Sequence, residues 1–296
     1  MTAQAATEKT NVENPVSKKE VQKKTAAKKI APKKVESKKS TAKISTSSAD
    51  ALKILSIDIG GTGLKASLID SAGKMLVERL RIATPYPCPP QVMVDTLVEL
   101  VKPLQGFQRI AIGFPGVVRN NSVLTAPHFG VKEWAGFPLA AELSKRLGKK
   151  PAKLINDADM QGLAVISGKG LELVVTLGTG VGTALFRDGE LMPHLELAQH
   201  PLRGKKTYND YVGDHTLKRI GIKRWRRRVT RVVDVLNELL HYERLYIGGG
   251  NAQKIGDDLL NELIAKYSDG TKHSIPIKIV SNDAGIEGGA GLWRTP

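Results

Sequence analysis

From Leu52 onward the chain reads as short apolar runs separated by polar turns. Leu52, Leu55, Ile57 and Ile59 open one β run, Lys65–Ile69 carries a second and Met75–Ile82 a third. The proline-rich stretch Thr84–Pro90 predicts a loop. Val92, Leu97, Leu100, Val101 and Leu104 mark a helix face, Arg109–Phe114 a buried strand, Leu139–Leu147 a helix and Ala152–Ile155 a short strand. Leu171–Leu177 and Thr183–Phe186 predict a strand pair across a glycine turn. Ile222, Trp225, Val229, Val232, Val233, Leu236 and Leu240 recur at helical spacing, the mark of an amphipathic helix. Leu245–Ile247 is a strand stopped by three glycines. Strand groups alternating with helices predict an α/β architecture.

Residues 1–50 lack this texture. They hold 12 Lys, no Arg, 5 acidic residues and no aromatic residue. Such a segment cannot bury enough surface to offset the entropy of ordering, so it reads as a disordered Lys-rich tail. Lys pairs at 18–19, 23–24, 28–29, 33–34 and 38–39, continued by Lys43, repeat every five residues, a period of neither helix nor strand. The arm either solubilises the chain or makes non-specific polyanion contact, with nucleic acid or polyphosphate, by counterion release. It has no aromatic side chain for base stacking.

The whole chain of 296 residues carries 45 Lys+Arg against 29 Asp+Glu. Cys88 is the single cysteine, which excludes an internal disulfide framework and a multi-cysteine zinc cage. No apolar run reaches the roughly 18 residues of a membrane span, and the N-terminus does not read as a secretory signal. The expectation is a soluble, cytoplasmic protein without membrane contact.

Two glycine-rich turns share one design. Asp58-Ile-Gly-Gly-Thr-Gly-Leu-Lys65 and Thr176-Leu-Gly-Thr-Gly-Val-Gly-Thr183 each lie between two apolar β runs, so each reads as a hairpin turn. Glycine lets such a turn bend tightly and expose N–H groups to a phosphate, although hairpins also use glycine for geometry alone. Neither follows the P-loop pattern. Their recurrence suggests a duplicated domain with a nucleotide between the halves.

The order of landmarks extends this. Ile112-Gly-Phe-Pro-Gly-Val-Val118 follows the first turn, Leu154-Ile-Asn-Asp-Ala-Asp159 separates the two, and Asp188-Gly-Glu-Leu191 and Tyr246-Ile-Gly-Gly-Gly-Asn251 come after the second. This series resembles the ROK family of actin-like sugar kinases over about residues 52–296, and within it the polyphosphate glucokinase branch. The resemblance implies an α/β, two-lobed actin-like (ribonuclease H-like) sugar kinase fold. Its lobes would span residues 51–155 and 156–296, with the last helix packing back on the first lobe. The implied reaction moves a phosphoryl group from ATP and/or polyphosphate to the primary hydroxyl of a hexose, giving glucose 6-phosphate from glucose. Homodimers are common in the family, so a homodimer is expected.

Residue by residue, the resemblance makes Asp157 the catalytic base and Asn156 a sugar ligand beside it. Asp58 would hold Mg2+ through water. Gly60, Gly61, Thr62 and Gly63 would cradle phosphate from one lobe, and Gly178, Thr179, Gly180 and Gly182 from the other. Gly248, Gly249, Gly250 and Asn251 would border adenosine; Lys65 either reaches phosphate or stays solvated. The sugar side departs from the pattern: the usual Glu-x-Gly-His becomes Glu196-Leu-Ala-Gln-His200, and the Asn usual before Trp134 is absent. Glu196 carries over as a sugar ligand, and His200 and His128 are the further candidates.

Lys218, Arg219, Lys223, Arg224, Arg226, Arg227, Arg228 and Arg231 crowd fourteen positions with no acid between them. This is either a solvated face or a track for polyphosphate or another polyanion. Two alternatives to a kinase remain: a regulatory, non-catalytic sugar- or nucleotide-binding member of the fold, and a polyanion-associated protein. A repressor is disfavoured because the tail cannot form a helix-turn-helix domain.

Overall fold

The structure, a computed structural model, describes residues 52–130, 132–268 and 274–294. The tail read from residues 1–50 lies outside them. The first half builds β1 (Ile54–Ile59), β2 (Gly63–Ile69), β3 (Leu80–Ala83), α1 (Pro90–Val101), β4 (Arg109–Phe114), the hairpin β5 (Val118–Arg119) and β6 (Ser122–Val123), α2 (Leu139–Arg146) and β7 (Ala152–Asn156). Its sheet runs β3-β2-β1-β4-β7. The pairs β3–β2 and β2–β1 are antiparallel, and β1–β4 and β4–β7 are parallel.

Strand alternation sorts β1 between two environments. Leu55, Ile57 and Ile59 enter the core under α1 and α2. Ile54, Ser56 and Asp58 point to the other face, where the Ser56 hydroxyl donates to the Ile286 carbonyl at 2.6 Å. The third strand is shorter than the Met75–Ile82 expectation. Asp70 closes a turn by accepting from the Ala72 and Lys74 N–H groups, each at 2.9 Å. Met75 then makes only an isolated bridge to Ile69. In α1 the buried face is Met93, Val94, Leu97, Leu100 and Val101; Val92 is exposed.

A helix that no periodicity announced, α3 (Asp157–Val165), begins where β7 ends. Asn156 caps it, and Asp157 and Asp159 sit in its first turn, where helix-end polarity favours negative charge. The helix lies between both sheets. Met160 packs with Ile54, Ile69 and Ala111, while Ala158 packs with Val174, Ala184 and Phe186. It buries Asp159 and Gln161 along with Ala158, Met160 and Gly162, so it shows no single apolar stripe.

The second half repeats the plan. It contains β8 (Leu171–Leu177), β9 (Val181–Arg187), β10 (Glu190–Leu191), β11 (Pro201–Arg203), β12 (Lys206–Thr207), α4 (Tyr208–Val212), α5 (Asp214–Ile220), α6 (Ile222–Leu240), β13 (Arg244–Gly248), α7 (Gly256–Lys266) and β14 (Ile277–Ile279). The sheet order β10-β9-β8-β13-β14 matches the first sheet strand for strand, with the same antiparallel and parallel pairings. Helix α6 buries Trp225, Val229, Val232, Val233 and Leu236 against it, and the Trp225 indole donates to the Val212 carbonyl at 2.7 Å. Finally α8 (Ala284–Glu287) and the tight turns of Gly288–Trp293 return to the first sheet. There Ile286 and Ala290 join Ile54, and the Arg109 guanidinium lies 4.8 Å from the Trp293 ring.

Candidate active site

The β1–β2 and β8–β9 turns meet at one cleft of about 620 Å³, a size typical of small-molecule sites. A Cβ placed at Gly61 would stand 3.4 Å from His128 and 3.5 Å from Thr179, so the two turns lie against each other. Each is tied to its own half. Thr84 donates to the Gly60 carbonyl at 2.7 Å, and Asn209 accepts from the Val181 N–H at 2.7 Å.

Asp58, Gly60, Gly61, Thr62, Gly63 and Lys65 line the cleft from the first turn. Gly178, Thr179, Gly180 and Gly182 line it from the second, and Gly249, Gly250 and Asn251 from the end of β13. Gly248 does not; the Gln161 side chain fills the space a Cβ there would need. Gly249 has φ +84°, and a Cβ there would stand 2.5 Å from the Leu177 carbonyl oxygen, so packing and conformation both demand glycine. Gly178 and Gly250 have nothing within 4 Å of an added Cβ, so space lies open beside both, although the Gly178 N–H already donates to the Gly180 carbonyl at 2.9 Å. Lys65 is not a solvated lysine: its ammonium pairs with Asp58 at 2.7 Å and both side chains are largely buried.

Asp157 stands at the cleft end of β7, as the first residue of α3. The residue is half-buried in the cleft wall, and the surrounding protein raises its pKa to about 7. Burial is the main cause and the Asp58 charge the second; the Ala158 N–H opposes both. Asn156 lines the cleft beside Asp157 and also caps α3. Its amide oxygen accepts from Ala158 N–H at 2.8 Å and Asp159 N–H at 3.3 Å, and its amide nitrogen donates to Gly116 O at 3.1 Å. These bonds make it the cap that aims Asp157, from a position in the cleft wall.

On the sugar side Glu196 and His128 line the cleft, and His200 does not. A turn closed by the His200 N–H on the Leu197 carbonyl, at 2.9 Å, sends that ring outward toward Tyr208. The buried Ala198 occupies the glycine position of the Glu-x-Gly-His pattern. Burial lowers the pKa of His128, against the pull of Glu196.

The histidine in the cleft that sequence reading missed is His194. Its Nδ1 lies 3.3 Å from the buried Asp159 carboxylate, and its Nε2 lies 3.6 Å from Glu196. Burial alone would lower its pKa, but attraction to Asp159 and Glu196 prevails and holds it at about 10. The ring is therefore an imidazolium at neutral pH. Burial raises the Asp159 pKa while His194 opposes the rise. Arg79, Arg81, Asp214 and Lys218 also line the cleft. In the sequence Lys218 stands out only as part of the basic cluster, and Arg79, Arg81 and Asp214 only as charge beside apolar runs. Asp214 pairs with Lys218 at 2.6 Å and accepts from the Asn251 amide at 3.4 Å.

Comparison with known proteins follows this geometry. The ROK family profile matches residues 54–193. A polyphosphate glucokinase of Mycobacterium tuberculosis (strain CDC 1551 / Oshkosh) is 30% identical over 206 residues, which covers 67% of this chain and 77% of that protein. An N-acetylmannosamine kinase of Shigella flexneri is 36% identical over 146 residues, covering 48% of this chain and 50% of that protein. Among solved structures, the inorganic polyphosphate/ATP-glucomannokinase of Arthrobacter sp. strain KM superposes with a TM-score of 0.70 at 29% identity, covering 82% of this chain and 99% of that one. A ROK family glucokinase from Streptomyces griseus, in complex with glucose and AMPPNP, shares the fold with a TM-score of 0.68 at 18% identity, covering 82% of this chain and 100% of that one.

Proposed function

The chain belongs to the ROK family, and from that premise we propose that it is a sugar kinase acting on the primary hydroxyl of a hexose, glucose first, with ATP or inorganic polyphosphate as donor. One observation carries this reading. A carboxylate with a pKa of about 7, Asp157, stands at the head of a helix where two glycine hairpins converge on one cleft.

Phosphoryl transfer needs an aligned nucleophile, charge stabilisation at the donor and exclusion of water. Asp157 accepts the proton of the sugar hydroxymethyl group as the hydroxyl oxygen attacks the terminal phosphorus and the bond from that phosphorus to the donor's bridging oxygen breaks, releasing ADP or a polyphosphate one unit shorter. A base near neutral pKa suits that transfer at neutral pH. Glu196, held by the His194 imidazolium, accepts from sugar hydroxyls, and His128 borders the same space. The open space beside Gly178 and Gly250 receives the donor, and Asn251 lies next to it. Residues 51–155 and 156–296 are read as the two lobes that close on the sugar, with the C-terminal turns belonging by contact to the first.

The family also implies Mg2+. Among the described residues no group of three or more His, Cys, Asp or Glu could hold a metal directly, and Asp58 is already paired with Lys65. The donor set fits an ion that keeps most of its waters, held through them by Asp58. When bound, it neutralises phosphate charge.

A second reading, a sugar-binding protein without turnover, draws on Ala198 and on the outward His200 in the altered segment. A coupled assay for glucose 6-phosphate with ATP and with polyphosphate separates the two. Turnover with either donor supports the kinase. Sugar binding by calorimetry with no turnover supports the regulatory reading.

A further inference from the structure

The cations from Lys218 to Arg231 do not form one class. Arg226 donates to the Lys254 carbonyl at 2.9 Å, and Arg228 lies 4.7 Å from the Tyr211 ring and donates to the Tyr211 carbonyl at 3.1 Å. These two hold α6 to its neighbours. Lys223, Arg224, Arg227 and Arg231 are exposed and have no ion-pair or hydrogen-bond partner among the described residues.

Arg224, Arg227 and Arg231 are three and four residues apart, so they form one stripe on the solvent face of α6, and Lys223 flanks it. No acid interrupts the chain between Asp214 and Asp234. Four unpaired cations over about two helical turns repel one another. The fold keeps them together although it derives no internal contact from them.

The stripe also has a place relative to the cleft. Lys218, on α5 just before the Gly221 turn into α6, lines the donor end of the cleft beside Asp214 and Asn251. The Arg226–Lys254 contact ties α6 to the segment that follows Asn251. Along the chain, basic side chains continue from Lys218, paired with Asp214 at the cleft rim, through Arg219 to the outer face of α6.

We propose that Arg224, Arg227 and Arg231 form a docking track for the distal part of a long inorganic polyphosphate chain whose end lies in the cleft. The proposal rests on the reading of polyphosphate as a donor. The occupant follows from chemistry. A linear polyanion with closely spaced charges and no bases matches a stripe of guanidinium groups that has no exposed aromatic side chain on it. ATP is too short to use it.

The test compares the full chain with its Arg224→Ser, Arg227→Ser, Arg231→Ser variant. These side chains make no internal hydrogen bond or ion pair, so the melting temperature should be unchanged. Binding of long-chain inorganic polyphosphate is measured over a salt series, and KM is measured for long-chain polyphosphate, tripolyphosphate and ATP. The variant should bind long-chain polyphosphate about tenfold or more weakly, with a salt slope shallower by about 0.7–0.9 per lost contact. Its KM for tripolyphosphate and ATP should stay within about twofold, because neither reaches the stripe. Arg227→Glu alone should move the same quantities in the same direction.

Unchanged affinity and slope for the long chain would overturn the track, whichever donor the protein uses. If the parent consumes long-chain polyphosphate and the variant does so with the same KM, the donor reading stands and the track falls. If the parent binds it through the stripe but cannot consume it, the surface stands and the donor reading falls. Loss of duplex DNA binding with polyphosphate affinity intact would make the stripe a nucleic-acid surface and overturn the proposal.

Discussion

If Asp157 is the base and its pKa is about 7 in the free protein, kcat/KM must follow its ionisation. An ordinary Asp, near 3.9, would be fully ionised over the whole working range. Here about half of the carboxylate is ionised at pH 7, and about a tenth at pH 6. With a pH-insensitive coupling system and saturating donor, log kcat/KM for glucose should rise with unit slope below about pH 7 and level off above it. The origin of the shift gives a second perturbation. After burial, the Asp58 charge is the largest contributor to the raised value. Asp58→Asn should therefore move the break to lower pH, even as it lowers the plateau by weakening phosphate binding. A profile flat from pH 5 to 8, or a break unmoved in Asp58→Asn, would refute the assignment of the raised base.

Other perturbations read other parts of the site. His194→Gln should raise KM for the sugar more than it lowers kcat, because Glu196 loses its cationic partner while Asp157 keeps its place. Its stability should fall too. The folded pKa of His194, about 10, lies above the unfolded value, so its stabilisation is fully present below about pH 6.5 and is lost as pH rises through 10. The melting-temperature gap between parent and variant should be widest below that window and close above it. Gly285→Ala would place a Cβ 2.8 Å from the Asp58 carboxylate and should cut kcat with either donor by about tenfold or more, with cooperative melting retained. A chain beginning at Ala51 should melt cooperatively and keep its turnover with ATP, because the cleft lies between Asp58 and Gly285; loss of the transition would show that the lysine-rich segment is structural.

What was legible beforehand followed from local physics. Strands such as β1, β4 and β8 are nearly continuous apolar runs because both their faces are covered, and the three glycines after Ile247 mark the end of β13. The matching of the two sheets was foreshadowed by the two glycine hairpins. Helix α3 escaped because it is buried between two sheets and has no polar face to set off an apolar one. The capping task of Asn156 depends on α3, which no periodicity announced; an Asn at a strand-to-helix junction is strongly suited to capping. His200 attracted notice because it follows Glu196 much as the histidine of the Glu-x-Gly-His pattern does, whereas His194, two residues before Glu196, has no place in that pattern. Only the fold shows that the chain turns after Leu197 and that Asp159 faces His194 from another element. Several glycines in the turns are explained as well by packing as by phosphate: a Cβ at Gly180 would collide with Asn209, and one at Gly182 with Thr176.

The most direct measurement is glucose 6-phosphate formation by the parent and by Asp157→Asn, with ATP and with polyphosphate, beside calorimetric binding of glucose and melting at pH 8. The parent should turn over with at least one donor. The variant should lose about 10²–10⁴-fold in kcat with each donor the parent uses, while still binding glucose. It should also melt at or above the parental temperature. The raised folded pKa means that ionised Asp157 costs stability above about pH 7, and the amide removes that cost. An Asp157→Asn protein that is folded, binds glucose and keeps more than about a tenth of the parental kcat would contradict the assignment of Asp157 as the base on which the proposed function rests.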